Sequence, residues 1–130
     1  MTELVIGAAI EVHRQLGPGL LESVYEACLH AEHTSMRIEV QRQVVVPITC
    51  KGIVLKEGLR LDLFFENRLV VEIKAVEGLL PVHSAQVITH LKLARSPSGL
   101  PLNFNVPALR QGIMRLYANS GIKAVDPLSP

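Results

Sequence analysis

The sequence predicts a mixed α/β (α+β) fold, a sheet flanked by helices, and three stretches carry that expectation. Apolar residues recur at helical spacing near the start and again after Pro81, strict alternation runs through 60–75, and a short apolar stretch follows at 100–106. An antiparallel hairpin followed by a helical crossover therefore lies at the centre. With 130 residues, 48% hydrophobic and 19% charged, the chain is long enough for one domain with its own core. That domain is expected over 1–118, followed by a disordered proline-rich tail over 119–130.

Thr2 suits the N-cap of a first helix reaching about Leu16, with Val5, Ala8, Ala9, Val12 and Leu16 on one side. Gly17-Pro18-Gly19 stops it. A second helix is expected over 20–33, its apolar stripe being Leu21, Val24, Cys28 and Ala31, with Glu22, Tyr25, Glu26 and Leu29 along a neighbouring row. Residues 36–50 read as one or two extended stretches, in which Val44-Val45-Val46 give β-branched weight and Pro47 limits pairing. Lys51-Gly52 marks a turn, and 53–55 a short strand before Lys56-Glu57-Gly58 leads into the hairpin.

In the hairpin, Leu61, Leu63, Phe65, Val71, Ile73 and Ala75 fall on one face, and Asp62, Phe64, Val70, Glu72 and Lys74 on the other. A three-residue connection Glu66-Asn67-Arg68 pairs Phe65 with Leu69 and sets Asp62 across from Glu72, with Cβ atoms roughly 4.5 to 5.5 Å apart. A two-residue connection would place Asp62 across from Val71 instead, and the longer turn is the expectation. Facing carboxylates repel unless a cation sits between them, and hard oxygens suit Mg²⁺ or Mn²⁺. Lys74 would then orient or polarise a water. The plainer reading of the same residues is an outer strand face with a Glu72–Lys74 ion pair, and Glu22 read plainly only favours the positive end of its helix.

Glu77-Gly78 ends the hairpin and Pro81 opens a third helix reaching about Arg95, with Val87, Ile88, Leu91 and Ala94 towards the core. His83, Gln86 and His90 form a polar row that could face the charged side of the hairpin. That row lacks HExxH and a third soft ligand, so hydrogen bonding is expected rather than zinc. After the loop Ser96-Pro97-Ser98-Gly99 comes a strand over 100–106. Pro107 then starts a last amphipathic helix carrying Leu109, Ile113, Leu116 and Tyr117.

Cys28 and Cys50 show no CxxC or Cys/His ligand spacing, so buried free thiols in a reducing compartment are expected. The sequence shows no signal peptide and no apolar run long enough for a bilayer, which gives a cytoplasmic location with no membrane partner as the expectation. A formal charge of +1 with scattered basic residues neither supports nor excludes nucleic acid. Two tyrosines, three phenylalanines and no tryptophan leave few rings for stacking bases. Walker and Rossmann glycine patterns and internal repeats are missing.

The segment Gly19-Leu20-Leu21-Glu22-Ser23-Val24-Tyr25 fits G-x-x-E-x-x-Y. With Asp62 and Glu72-Ile73-Lys74, the chain resembles the GxxExxY family within the PD-(D/E)XK nuclease superfamily, over about 4–117. The likeness extends through Val12-His13-Arg14, Leu16-Gly17-Pro18-Gly19, Ala85-Gln86 and Leu102-Asn103-Phe104. It departs at Asn105, where a glycine is expected, and at His90, where tyrosine or asparagine is common. The resemblance implies a four-stranded mixed sheet flanked by helices. It implies that Asp62 and Glu72 bind Mg²⁺ (or Mn²⁺), that the Ile73 carbonyl completes the site and that Lys74 positions the water. Glu22 would add a second carboxylate or part of a second metal site, Gln86 would reach in from the third helix, and Tyr25, His83 and His90 would support. The implied activity is metal-assisted hydrolysis of phosphodiester bonds in DNA or RNA. The alternative is a non-catalytic domain of the same fold that binds nucleic acid or a protein, and a homodimer through the last helix or an edge strand is compatible with either.

Overall fold

The computed structural model describes residues 1–118 and the backbone of Asp126–Pro127. Chain order is α1 (Thr2–Leu16), α2 (Glu22–Ser35), β1 (Val40–Cys50), β2 (Ile53–Phe65), β3 (Leu69–Lys74), α3 (Pro81–Ala94), β4 (Ser98–Asn103), a 3-10 turn (Leu109–Gly112), β5 (Met114–Tyr117) and β6 (Asp126–Pro127). The strands lie side by side in that order, antiparallel throughout except that β4 runs parallel to β3. A parallel neighbour needs a crossover, and α3 supplies it. The result is a mixed sheet of five strands flanked by helices, with the two residues of β6 beside β5. The rest of the expected tail lies outside the described residues.

Two apolar layers sandwich the sheet. Val5, Ile6, Ala9 and Val12 of α1 and Tyr25 and Leu29 of α2 pack with Leu63, Phe65, Val71, Ile73, Leu100 and Leu102 on one side. Val87, Ile88 and Leu91 of α3 cover Phe64, Val70, Leu61 and Leu116 on the other. β3, covered on both faces, is buried from Leu69 to Ile73. Such double burial is what its near-continuous apolar run requires. Gly99 lets α3 seat closely on β4, since a Cβ there would lie 2.8 Å from Leu91 Cδ2 and 3.0 Å from Val87 Cγ1.

The turns behave as their residues dictate. Lys51 and Gly52, with φ of 49° and 83°, form the primed two-residue turn that joins β1 to β2, so 53–65 is one long strand and not two. Pro47, without an N–H, sits where the register slips between Val46 and Ile48. Phe65 pairs with Leu69 across the three-residue connection, in which Glu66 and Asn67 take positive φ.

Several expectations need correction. Thr2 is the first helical residue of α1, not its cap. α2 buries Tyr25, Glu26, Leu29 and His33, whereas Leu21 is 74% exposed: the row read as secondary is the core row, because Tyr25 stacks on Phe104 with ring centroids 4.3 Å apart and sets the rotation of the helix. The stretch after Pro107 is a 3-10 turn and then a strand. Leu109, Ile113 and Leu116 are all buried, a spacing that also fits a turn followed by an edge strand, and β5 gains a ladder against β4 through Ser98↔Tyr117 and Gly99↔Leu116. This strand makes the sheet five-stranded where four were expected. Cys50, expected to be buried, is exposed at the β1 end, while Cys28 is half-buried.

Candidate active site

The site begins at the loop between α1 and α2. Gly17 (φ 74°) and Gly19 (φ 97°) occupy the left-handed region that side chains disfavour, and this reverses the chain within a few residues. The Tyr25 hydroxyl donates to Gly17 O at 2.6 Å and accepts from Leu20 N at 3.1 Å, so a side chain buried in the core fastens the loop that delivers Glu22 to the start of α2. The glycine, glutamate and tyrosine at this spacing thus form one mechanical unit. Glu22 itself is exposed.

One turn further on, Glu26 is buried and held from β1. Arg42 Nε donates to Glu26 Oε2 at 3.2 Å with its Nη2 3.1 Å away, and Gln43 Nε2 donates to Oε1 at 2.7 Å. Two consecutive strand residues reach the same side only because the strands are irregular here. Pairing runs Arg42↔Leu63 and Val44↔Leu61, but Gln43, with φ of 51°, and Asp62 drop out of the ladder between them. Alternation reverses across the gap. Val40, Leu63 and Phe65 pack towards α1 and α2, whereas Val44, Val46, Leu59 and Leu61 pack towards α3.

Asp62 therefore does not lie beside Glu72 on a common face, as period two alone suggested. It lines an open groove of about 800 Å³ at the start of α2, together with Leu20, Glu22, Glu26, Gln43 and Ala75. The ladder between β2 and β3 stops at Leu63↔Val71, and beyond it Asp62 Oδ2 accepts the Ile73 N–H at 2.8 Å. A strand residue points its N–H and C=O to the same neighbour, so the Ile73 carbonyl also faces this gap. The amide that Asp62 accepts is the one joining Glu72 to Ile73.

Glu72 is buried and directed towards α3, where its Oε2 is hydrogen-bonded to His90 Nδ1. The His90 ring thus orients the carboxylate. Lys74, half-buried at the end of β3, makes no ion pair among the described residues, so the Glu72–Lys74 pair of the plainer reading is replaced by Glu72–His90. Of the remaining polar row, His83 Nδ1 accepts from Leu80 N at 2.9 Å and caps its own helix. Gln86 is exposed and makes no hydrogen bond among the described residues, one turn before His90.

Burial pushes the Asp62 carboxyl up to about 6; the Ile73 N–H works against that rise, and Glu72, Glu26 and Glu22 add to it. Among the described residues, no group of three or more His, Cys, Asp or Glu is arranged to hold a metal. A cation here would rest on one or two carboxylates, a carbonyl and water, which is how Mg²⁺ is usually held. The donor set fits that ion: all hard oxygens, around a carboxylate whose surroundings penalise its own charge. Sequence reasoning passed over Arg42, Gln43 and the burial of Glu26, although Glu26 stands in the same row as Glu22 and Tyr25.

No helix of the described residues is long and apolar enough to cross a membrane. The model of the PD-(D/E)XK nuclease superfamily matches residues 1–116. Comparison with curated proteins and with solved structures gives no match.

Proposed function

Because the chain belongs to the PD-(D/E)XK nuclease superfamily, we propose that it is a metal-dependent nuclease of the GxxExxY type that hydrolyses phosphodiester bonds of nucleic acid. The observation that carries this reading is Asp62: half-buried, with three acids acting on it, without an ion-pair partner among the described residues, and with its carboxyl raised to about 6. A half-buried anion among other acids is stabilised by an added cation. Asp62 and the Ile73 carbonyl would hold Mg²⁺ or Mn²⁺ at the groove, with Glu22 available to the same or a second ion, and Glu72 would join them only by turning away from His90. When bound, such an ion acidifies a water and neutralises charge on the phosphate.

The chain's own residues supply the rest. His90 keeps Glu72 in one rotamer, and Tyr25 keeps Glu22 at the groove. The Lys74 ammonium, without an ion pair among the described residues, offers positive charge to phosphate oxygens and orients the attacking water. Gln86 contributes an exposed amide on α3 for a phosphate or a water. The second reading, a nuclease-fold domain that binds without cutting, draws on His90 already occupying one Glu72 oxygen.

Calorimetric titration with Mg²⁺ separates the first claim: Asp62→Asn and Glu72→Gln should each weaken binding severely, and unchanged binding removes the metal. Incubation with single- and double-stranded DNA and RNA tests the chemistry, with Lys74→Ala as the contamination control. Equal cutting by both proteins assigns the activity elsewhere. Binding without cutting selects the second reading.

A further inference from the structure

On the other side of the Tyr25-fastened loop lies a second cleft, of about 410 Å³, between the last turn of α1 and residues 107–110. His13 builds it: the buried ring donates from Nε2 to Phe104 O at 3.1 Å and Val106 O at 2.9 Å, clamping α1 to the chain that leads into Pro107. Ile10, Pro107 and Leu109 give it an apolar floor, and Arg14 and Arg110 are its charged lining, with no acid among the residues that line it. The groove at Asp62 has the opposite balance, three acids, Glu22, Glu26 and Asp62, against one arginine, Arg42, which is paired with Glu26.

We propose that this cleft is a phosphate-binding subsite for the nucleic-acid strand that enters the acid-lined groove, with Arg14 and Arg110 as its anion-binding groups. The identity of the ligand rests on the nuclease reading; the cleft's selectivity for an anion does not. A phosphodiester strand approaching an acidic groove is repelled except at the phosphate a cation neutralises, and a chain of net charge +1 has no diffuse basic surface to compensate. Neutralisation has to be local. Gly17 lines the arginine cleft and Leu20 the acidic groove, so three residues, on the order of 10 Å at full extension, separate them. One strand can contact both. Guanidinium groups match phosphate oxygens in bidentate geometry, while the apolar floor accommodates sugar and base faces. Arg14 is free to turn to a phosphate: its only ion pair among the described residues is with Glu11 at 3.4 Å, the two side chains 75% and 48% exposed, and such pairs contribute little.

The test is fluorescence anisotropy with a short labelled single-stranded oligonucleotide in EDTA, where binding is read without metal or cleavage. The double variant Arg14→Ala/Arg110→Ala should bind about tenfold or more weakly, with a log-affinity against log-salt slope shallower by about 1.4, two contacts at ~0.7 each. Arg14→Lys/Arg110→Lys should recover the slope, and Lys51→Ala/Lys56→Ala, which removes equal charge at the β1–β2 turn, should bind as wild type. Because all four side chains are exposed, melting temperatures should match. Wild-type affinity and slope in the arginine double variant overturn the cleft, and so does a loss equalled by the lysine control. If the arginines govern binding while cleavage is independent of Lys74, the subsite stands and the catalytic reading falls.

Discussion

Replacing Asp62 with Asn should make the protein more stable at neutral pH and leave it unchanged in acid. The carboxyl is raised from 3.8 to about 6, roughly 2.2 pH units by subtraction. At about 1.36 kcal/mol per unit this is ~3 kcal/mol at most, and solvent reaching the half-buried side chain reduces it to about 1–2 kcal/mol. The sign follows from linkage. The folded state binds the proton more tightly than the unfolded chain, so this group's contribution is full below about 3.8 and is lost as pH rises through about 6. Asn keeps an oxygen for the Ile73 N–H and carries no charge, so the variant loses nothing over that window. Urea unfolding at pH 7.5 and pH 4 reads the difference directly. A second arm uses the cation: Mg²⁺ at ten times its dissociation constant should stabilise wild type by ~1.4 kcal/mol and leave Asp62→Asn unmoved. A stability difference that is the same at both pH values, or a wild type more stable than the variant at pH 7.5 without metal, refutes the claim that Asp62 is an electrostatically strained ligand.

Tyr25→Phe keeps the stack on Phe104 but strips the bonds to Gly17 O and Leu20 N; unfolding should show a loss of about 1–2 kcal/mol, and metal-dependent cleavage should fall further as Glu22 is released. Arg42→Ala leaves Glu26, whose side chain is only 8% exposed, with Gln43 alone, and should cost about 2–4 kcal/mol; adding Glu26→Gln should recover part of that in a double-mutant cycle. His33 is fully buried with Nε2 unpartnered among the described residues, and burial pushes its pKa down from 6.5. The unfolded chain is then the better proton acceptor, so its contribution is full above about 6.5 and is lost as pH falls below that towards the lowered folded value. Wild type should lose stability relative to His33→Leu between pH 7 and 5, measured by melting temperature.

The hairpin was the most legible element because its turn and its register are local. Glu66-Asn67-Arg68 between two apolar runs has few ways to close, and Phe65↔Leu69 follows. Misreadings arose where the deciding contact lies far along the chain. Leu21, Val24, Cys28 and Ala31 make as good a stripe as the true core row of α2, and Phe104 on β4's exit decides between them by stacking on Tyr25. The sequence after Pro107 has helical spacing, yet the free edge of β4 takes it as a strand.

Residue order alone supplies the set of chemical groups: an acid at the start of α2, an acid on β2, an acid and an amine on β3, and a crossover helix behind them. Tertiary structure decided how they face one another. The paired irregularity at Gln43 and Asp62 turns a carboxylate from the α3 side into the groove beneath α2 and gives Glu72 to His90. Alternation along a strand is a property of one chain segment, whereas a break in the ladder at which both strands turn over is a compromise between two strands and the helices packed on them. Only the assembled sheet contains the forces that choose it.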